Sequence, residues 1–143
     1  MLSETQIALV QKSFTRAVPR AEVLMIRFYE RLFELAPETR SLFPEDMQAQ
    51  RANVVSTLAT VVRSLANLEP LLADIRALGM RHTGYGVKDE HYAIVGEALV
   101  WSLEETLRPA WNDATADAWA EAYRILADVM IEAAHGRSND GRN

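Results

Sequence analysis

The chain has 143 residues, 49% of them hydrophobic and 24% charged, the composition of one globular domain with a full core. Twenty acidic against fifteen basic side chains give a net charge of −5, and the thirteen arginines and two lysines form no basic block, which argues against a nucleic-acid coat. The absence of cysteine excludes disulfides, thiolate zinc sites, cysteine nucleophiles, iron–sulfur clusters and haem attached through Cys-x-x-Cys-His. No secretory pattern opens the sequence and no apolar run approaches roughly 18 residues, so a soluble cytoplasmic protein without a membrane span is expected. A fused flavin or nicotinamide module would need on the order of 100–200 further residues, so a single domain is expected.

Nearly every segment has helical period and none alternates like a strand. Ser3 and Gln6 form a capping-box pair that starts a helix to about Ala17. Pro19 stands near the start of the next helix, where Ala21, Leu24, Met25, Phe28, Tyr29, Leu32 and Phe33 make an unbroken apolar stripe. Pro37 suits the first turn of a short helix that leads into Leu42, Phe43 and Pro44. From about Met47 to Ala66, Val54, Leu58, Val61 and Leu65 keep helical spacing, with Gln50 one turn before Val54. Pro70 can open the next helix, in which Leu71, Ile75, Leu78 and His82 share one face. After a turn at residues 83–86, a long helix is predicted from about Lys88 to Arg108, and a last one from about Thr115 to Ala134. Residues 135–143 are polar and predicted to fray into a disordered tail, leaving 1–134 as the domain. The fold class is all-α with about seven to eight helices, too unequal in length for a regular four-helix bundle.

Three histidines are available for chemistry: His82, His91 and His135. Read alone, a histidine on an apolar face is more often a hydrogen-bonded core residue than a ligand. His91, beside Asp89 and Glu90 in a first helical turn, reads as solvated, and His135 falls in the polar tail. No His-Glu-x-x-His spacing, phosphate loop or nucleophile elbow is present, so zinc hydrolase, nucleotide-binding and serine hydrolase readings lack support. Likewise a buried Tyr29 satisfied by a backbone carbonyl is the ordinary reading from chemistry alone.

The company of His82 shifts that balance. Phe28-Tyr29-x-x-Leu32-Phe33, Leu42-Phe43, Gln50, and Leu78-Gly79-Met80-Arg81-His82 resemble a globin. Gly86-Val87, His91-Tyr92-x-x-Val95-Gly96 and Ala118-Trp119-x-x-x-Tyr123 continue the pattern, so the resemblance covers residues 1 to about 134. It is nearest to bacterial single-domain globins and flavohaemoglobin haem domains, and the segment around Arg81-His82 is also similar to neuroglobins.

That resemblance implies a globin fold around non-covalent haem b, with His82 as the axial iron ligand. Phe43 would lie on the porphyrin and Val54 would close the other side over the iron. Leu78, Val87, Tyr92 and Val95 would line the cofactor, and Arg81 would reach a propionate. Tyr29 and Gln50 would donate hydrogen bonds to bound dioxygen or another diatomic ligand. Gln50 stands where neuroglobins have a histidine, which implies an open or weakly occupied ligand position. Ala134 stands where flavohaemoglobins have a glutamate near the axial histidine, with Glu132 two residues away. The resemblance therefore implies reversible dioxygen binding, by a store, carrier or scavenger. Its alternatives are nitric oxide dioxygenation with a separate reductase, or a sensor or haem-free interaction module. A monomer or weak homodimer is expected.

Overall fold

Ser3 opens the first helix: its hydroxyl accepts the Gln6 N–H at 3.0 Å, and the Gln6 side chain accepts the Ser3 N–H at 3.0 Å. The computed structural model describes residues 2–140, with side chains described as far as residue 136, and the regular structure among them is all helical. α1 spans Glu4–Ala17, α2 Ala21–Leu35, α3 Gln48–Arg63, α4 Leu72–Gly84, α5 Asp89–Leu107 and α6 Asp113–Asp140. Three 3-10 turns, Val18–Arg20, Pro37–Leu42 and Glu69–Leu71, each have proline in first or second place.

The described residues thus hold six α-helices rather than the seven to eight predicted. The difference lies in the proline-led connectors. The Pro37 segment has only six residues before Phe43 turns extended, and it closes as a 3-10 turn instead of an α-helix. At the other end α6 runs on past residue 134 to Asp140, where fraying was predicted. His135 on that extension meets Asp89 at 2.6 Å. Met1 and residues 141–143, the end of the predicted tail, lie outside the described residues.

α2 packs on α5, α4 on α6, and α1 along α6. Val10 and Phe14 of α1, Leu24, Met25 and Phe28 of α2, Leu99 and Leu103 of α5, and Trp119 of α6 form the buried core. The polar atom of Trp119 is satisfied inside it, donating from Nε1 to Ser13 Oγ at 2.7 Å. Such a bond contributes about 1 kcal/mol net, and breaking it would leave a buried donor unpaired.

One glycine decides how closely the site's helix can sit. A Cβ on Gly79 would fall 2.5 Å from the Met130 carbonyl oxygen and 2.6 Å from the Met130 Cα. The backbones of α4 and α6 therefore touch there, three residues before His82.

Candidate functional site

Helices α2 to α6 converge around an apolar cavity of about 230 Å3. α2 contributes Tyr29, the corner after Pro37–Leu42 contributes Phe43, α3 contributes Gln50 and Val54, and α4 contributes Leu78 and His82. Val87 before α5, and Tyr92 and Val95 on it, complete the predicted set. Every predicted site residue except Arg81 faces this one space; Arg81 is exposed on α4. A larger, open groove of about 670 Å3 on the outer side of α5 and α6 shares Tyr92 and Tyr123 with the cavity, but no histidine lines it.

His82 Nδ1 lies 2.8 Å from the Leu78 carbonyl one turn earlier. A carbonyl only accepts, so Nδ1 carries the hydrogen and Nε2 keeps its lone pair. The imidazole is thereby oriented and its tautomer set by its own helix. Among the described residues, no three histidine, cysteine or carboxylate side chains converge as a metal site. Two imidazoles line the cavity, but both ring nitrogens of His91 face other groups, so His82 alone offers a free nitrogen. That suits a metal that brings its own equatorial ligands, and the residues present fit a flat apolar macrocycle.

Tyr29 is 6% exposed, and its hydroxyl accepts a hydrogen bond from Gln50 Nε2 at 3.2 Å. With its lone pair engaged, the hydroxyl proton is left to donate. Burial pushes the Tyr29 hydroxyl above the usual tyrosine range, and the Gln50 bond and the Arg51 charge offset only part of that. It is therefore a neutral donor at ordinary pH. The ring is held edge-on by Phe28 and Phe43, at centroid distances of 4.8 and 5.3 Å.

Tyr92 stands on the His82 side, with ring centroids 6.4 Å apart. Its backbone carbonyl accepts the Tyr123 hydroxyl at 2.6 Å, while its own buried hydroxyl has no hydrogen-bond partner. Tyr123 reaches that carbonyl across Gly96, where a Cβ would stand 2.7 Å from the Tyr123 ring.

His91 departs from its sequence reading. It is not solvated but 5% exposed, and it lines the cavity. Its Nδ1 accepts the Lys88 N–H at 3.1 Å, and Nε2 lies 3.6 Å from Glu38 Oε2. The missed signal is positional: the third residue of a helix is where a side chain reaches back to the cap's N–H. Thr39, Leu58 and Met130 also line the cavity without having been named as site residues from the sequence.

Known proteins share this frame. The chain is 35% identical to the flavohemoprotein of Chromobacterium violaceum, over 98% of this chain and 35% of that protein. It is 31% identical to the flavohemoprotein of Rhodopirellula baltica, over 92% of this chain and 33% of that one. The chain thus spans about a third of the length of these curated relatives. An engineered carbene transferase, a candidate nitric oxide dioxygenase from Rhodothermus marinus, superposes with a TM-score of 0.87 at 31% identity, covering 100% of both chains. A bacterial globin from Campylobacter jejuni superposes with a TM-score of 0.84 at 26% identity, over 96% of this chain and 99% of that one. Residues 26–130 match the Globin family, and the chain belongs to it.

Proposed function

We propose that this globin holds haem b without a covalent link and binds dioxygen or another diatomic gas reversibly beside Tyr29 and Gln50. One observation carries the reading: two hydrogen-bond donors in mutual contact at 3.2 Å line the same apolar cavity as a singly committed imidazole. Haem, when bound, would supply an iron that takes first an imidazole nitrogen and second a small gas as partners. His82 offers Nε2 for the first, because Leu78 holds its Nδ1 hydrogen. Phe43, Val54, Leu78, Val87, Tyr92 and Val95 bury the macrocycle, and the exposed Arg81 suits a carboxylate at its edge. Tyr29 and Gln50 donate to a ligand that gains negative charge, each bond contributing about 1.5–3 kcal/mol. Gln50 has no nitrogen lone pair to compete for the iron, so the ligand position stays open.

Absorption spectra of the haem-loaded protein in ferric, ferrous and oxygenated forms test this. An intense haem band and a ferrous form that takes up oxygen are expected. Failure to take up haem, or a low-spin bis-histidine ferrous spectrum, would overturn it.

The similarity to flavohemoproteins and to a candidate nitric oxide dioxygenase favours a second reading, nitric oxide dioxygenation. The same donor pair serves it, with electrons delivered by a reductase outside these residues. Sustained nitrate formation from nitric oxide with a reductase and reductant present supports the enzyme. A single stoichiometric burst supports the binder.

A further inference from the structure

The proposed function leaves two open grooves on the surface without a use. One, of about 620 Å3, lies between α1 and α3, where Phe14, Val18, Pro19, Ala59 and Val62 make it apolar. Val18 is 47% exposed there, the most of any large aliphatic side chain among the described residues. The other is the groove of about 670 Å3 between α5 and α6, floored by Ala93, Gly96, Val100, Ala127 and Ile131.

Opposite charges border the two grooves. Residues 5–21 and 47–68, which hold α1 beyond Glu4 and all of α3, contain no carboxylate in a chain that has twenty. They carry Lys12, Arg16, Arg20, Arg51 and Arg63. Arg63 lines the first groove, and Lys12 and Arg16 stand one residue on from Gln11 and Thr15, which also line it. These three cations are exposed and have no ion-pair partner among the described residues. Glu22, the first carboxylate after the first stretch, is committed to Arg51 at 3.0 Å. On the other side, α5 has five carboxylates and neither lysine nor arginine, and residues 113–134 of α6 have five carboxylates and Arg124 alone. Arg124 is paired with Glu121 and Asp128, and Arg31 at the groove's edge lies 3.4 Å from Glu34. Glu97 lines this groove, exposed and without an ion-pair partner among the described residues.

We propose that a second copy of this chain docks its acidic α5–α6 face on the basic α1–α3 face of the first. A helix bordering one groove is a ridge that the other groove can receive, and the apolar floors supply the contact beneath the charges. The charges select this pairing. Like faces together would set cation against cation or carboxylate against carboxylate. The net charge of −5 repels whole copies, but at about 0.1 M salt that repulsion is screened beyond roughly 10 Å, while charges in contact still act. Exposed ion pairs contribute little singly, so the association is weak and falls with salt. It needs neither haem nor a gas and stands apart from the proposed function.

Sedimentation equilibrium of the full chain over a concentration series tests this. At about 0.1 M salt the average mass is expected to rise with concentration above the 16.1 kDa of one chain. At about 1 M, where charges act over roughly 3 Å, the dissociation constant is expected to grow several-fold. Arg16→Glu with Arg63→Glu reverses the basic face, and Glu97→Lys with Glu104→Lys reverses the acidic one. Each variant alone is expected to be monomeric, because its two faces now repel. An equimolar mixture of the two is expected to associate again, which also shows that both are folded. A parent chain that stays monomeric at about 0.1 M salt up to roughly millimolar concentration overturns the proposal. Association that persists in both variants means that copies meet elsewhere and overturns it too. Loss in one variant alone means that like faces meet, and a mixture that stays monomeric means that the faces do not complement each other; either result overturns the pairing.

Discussion

Gln50 on α3 donates its side-chain N–H to the Tyr29 hydroxyl on α2 across 3.2 Å, inside the cavity that also receives His82. The bond sets the direction of the remaining donor. An accepted hydrogen bond occupies a lone pair of the phenol oxygen, so the hydroxyl proton turns away from Gln50 towards the cavity. Tyr29→Phe removes that donor while keeping the ring between Phe28 and Phe43. Losing a hydrogen bond worth about 1.5–3 kcal/mol should speed oxygen release roughly 10- to 150-fold. Gln50→Leu should speed release less, and the double variant should fall short of the product of the two effects, because Gln50 acts partly through Tyr29. Stopped-flow oxygen release from the three proteins measures this, with urea midpoints expected to stay close to the parent's.

Gly79→Ala tests the contact that seats α4. Its Cβ would lie 2.5 Å from the Met130 carbonyl oxygen, and backbone cannot swing aside as a side-chain tip does. The helices must part, at a cost of about 1–3 kcal/mol. Because His82 lies one turn further along α4, haem retention should suffer with stability. The variant is expected to lose haem to a scavenger faster than the parent and to melt at lower temperature.

These two cases mark where sequence reasoning reaches and where it stops. Helical spacing placed Tyr29, Gln50 and His82 on or beside apolar stripes that turn towards a common interior, but the resemblance to globins, not the spacing, singled them out as site residues. Their direct contact, and the orientation of Gln50, depend on how α2 crosses α3, which no local spacing records. His91 was misread for the same reason. Its neighbours Asp89 and Glu90 are exposed, but the ring is covered from a distance by the Pro37–Leu42 turn that carries Glu38. The closeness of Gly79 to Met130 joins residues far apart in the chain, so a lone glycine in a helix announced nothing. The continuation of α6 to Asp140 is likewise non-local, since His135 meets Asp89 at the start of α5.

Alkaline pH should destabilise the fold through its buried tyrosines. Burial, with a contribution from the neighbouring Tyr92, raises the Tyr123 hydroxyl well above the usual range, and burial raises Tyr29 and Tyr92 in the same direction. The unfolded chain releases these protons first, near pH 10, so the folded state holds more protons and stability falls as pH climbs beyond that value. Below it the contribution is fully present. Urea midpoints measured from neutral to strongly alkaline pH should be flat and then decline, and Tyr123→Phe should decline less steeply than the parent.

The two neighbouring tyrosines should respond to the loss of a hydroxyl with opposite signs. Tyr123→Phe breaks a 2.6 Å bond to the Tyr92 carbonyl, and the cost at neutral pH should be about 1–2 kcal/mol. Tyr92→Phe removes a buried hydroxyl that has no partner, so it sheds a desolvation penalty without breaking a bond. Its stability should hold or rise by up to about 1 kcal/mol. Both changes keep the ring, so the packing of residue 92 against His82 and of residue 123 against Gly96 is retained and each comparison reads the hydroxyl alone. Urea unfolding of the two single variants beside the parent gives the signs. A loss of stability in Tyr92→Phe as large as that in Tyr123→Phe would mean that the Tyr92 hydroxyl is satisfied in solution.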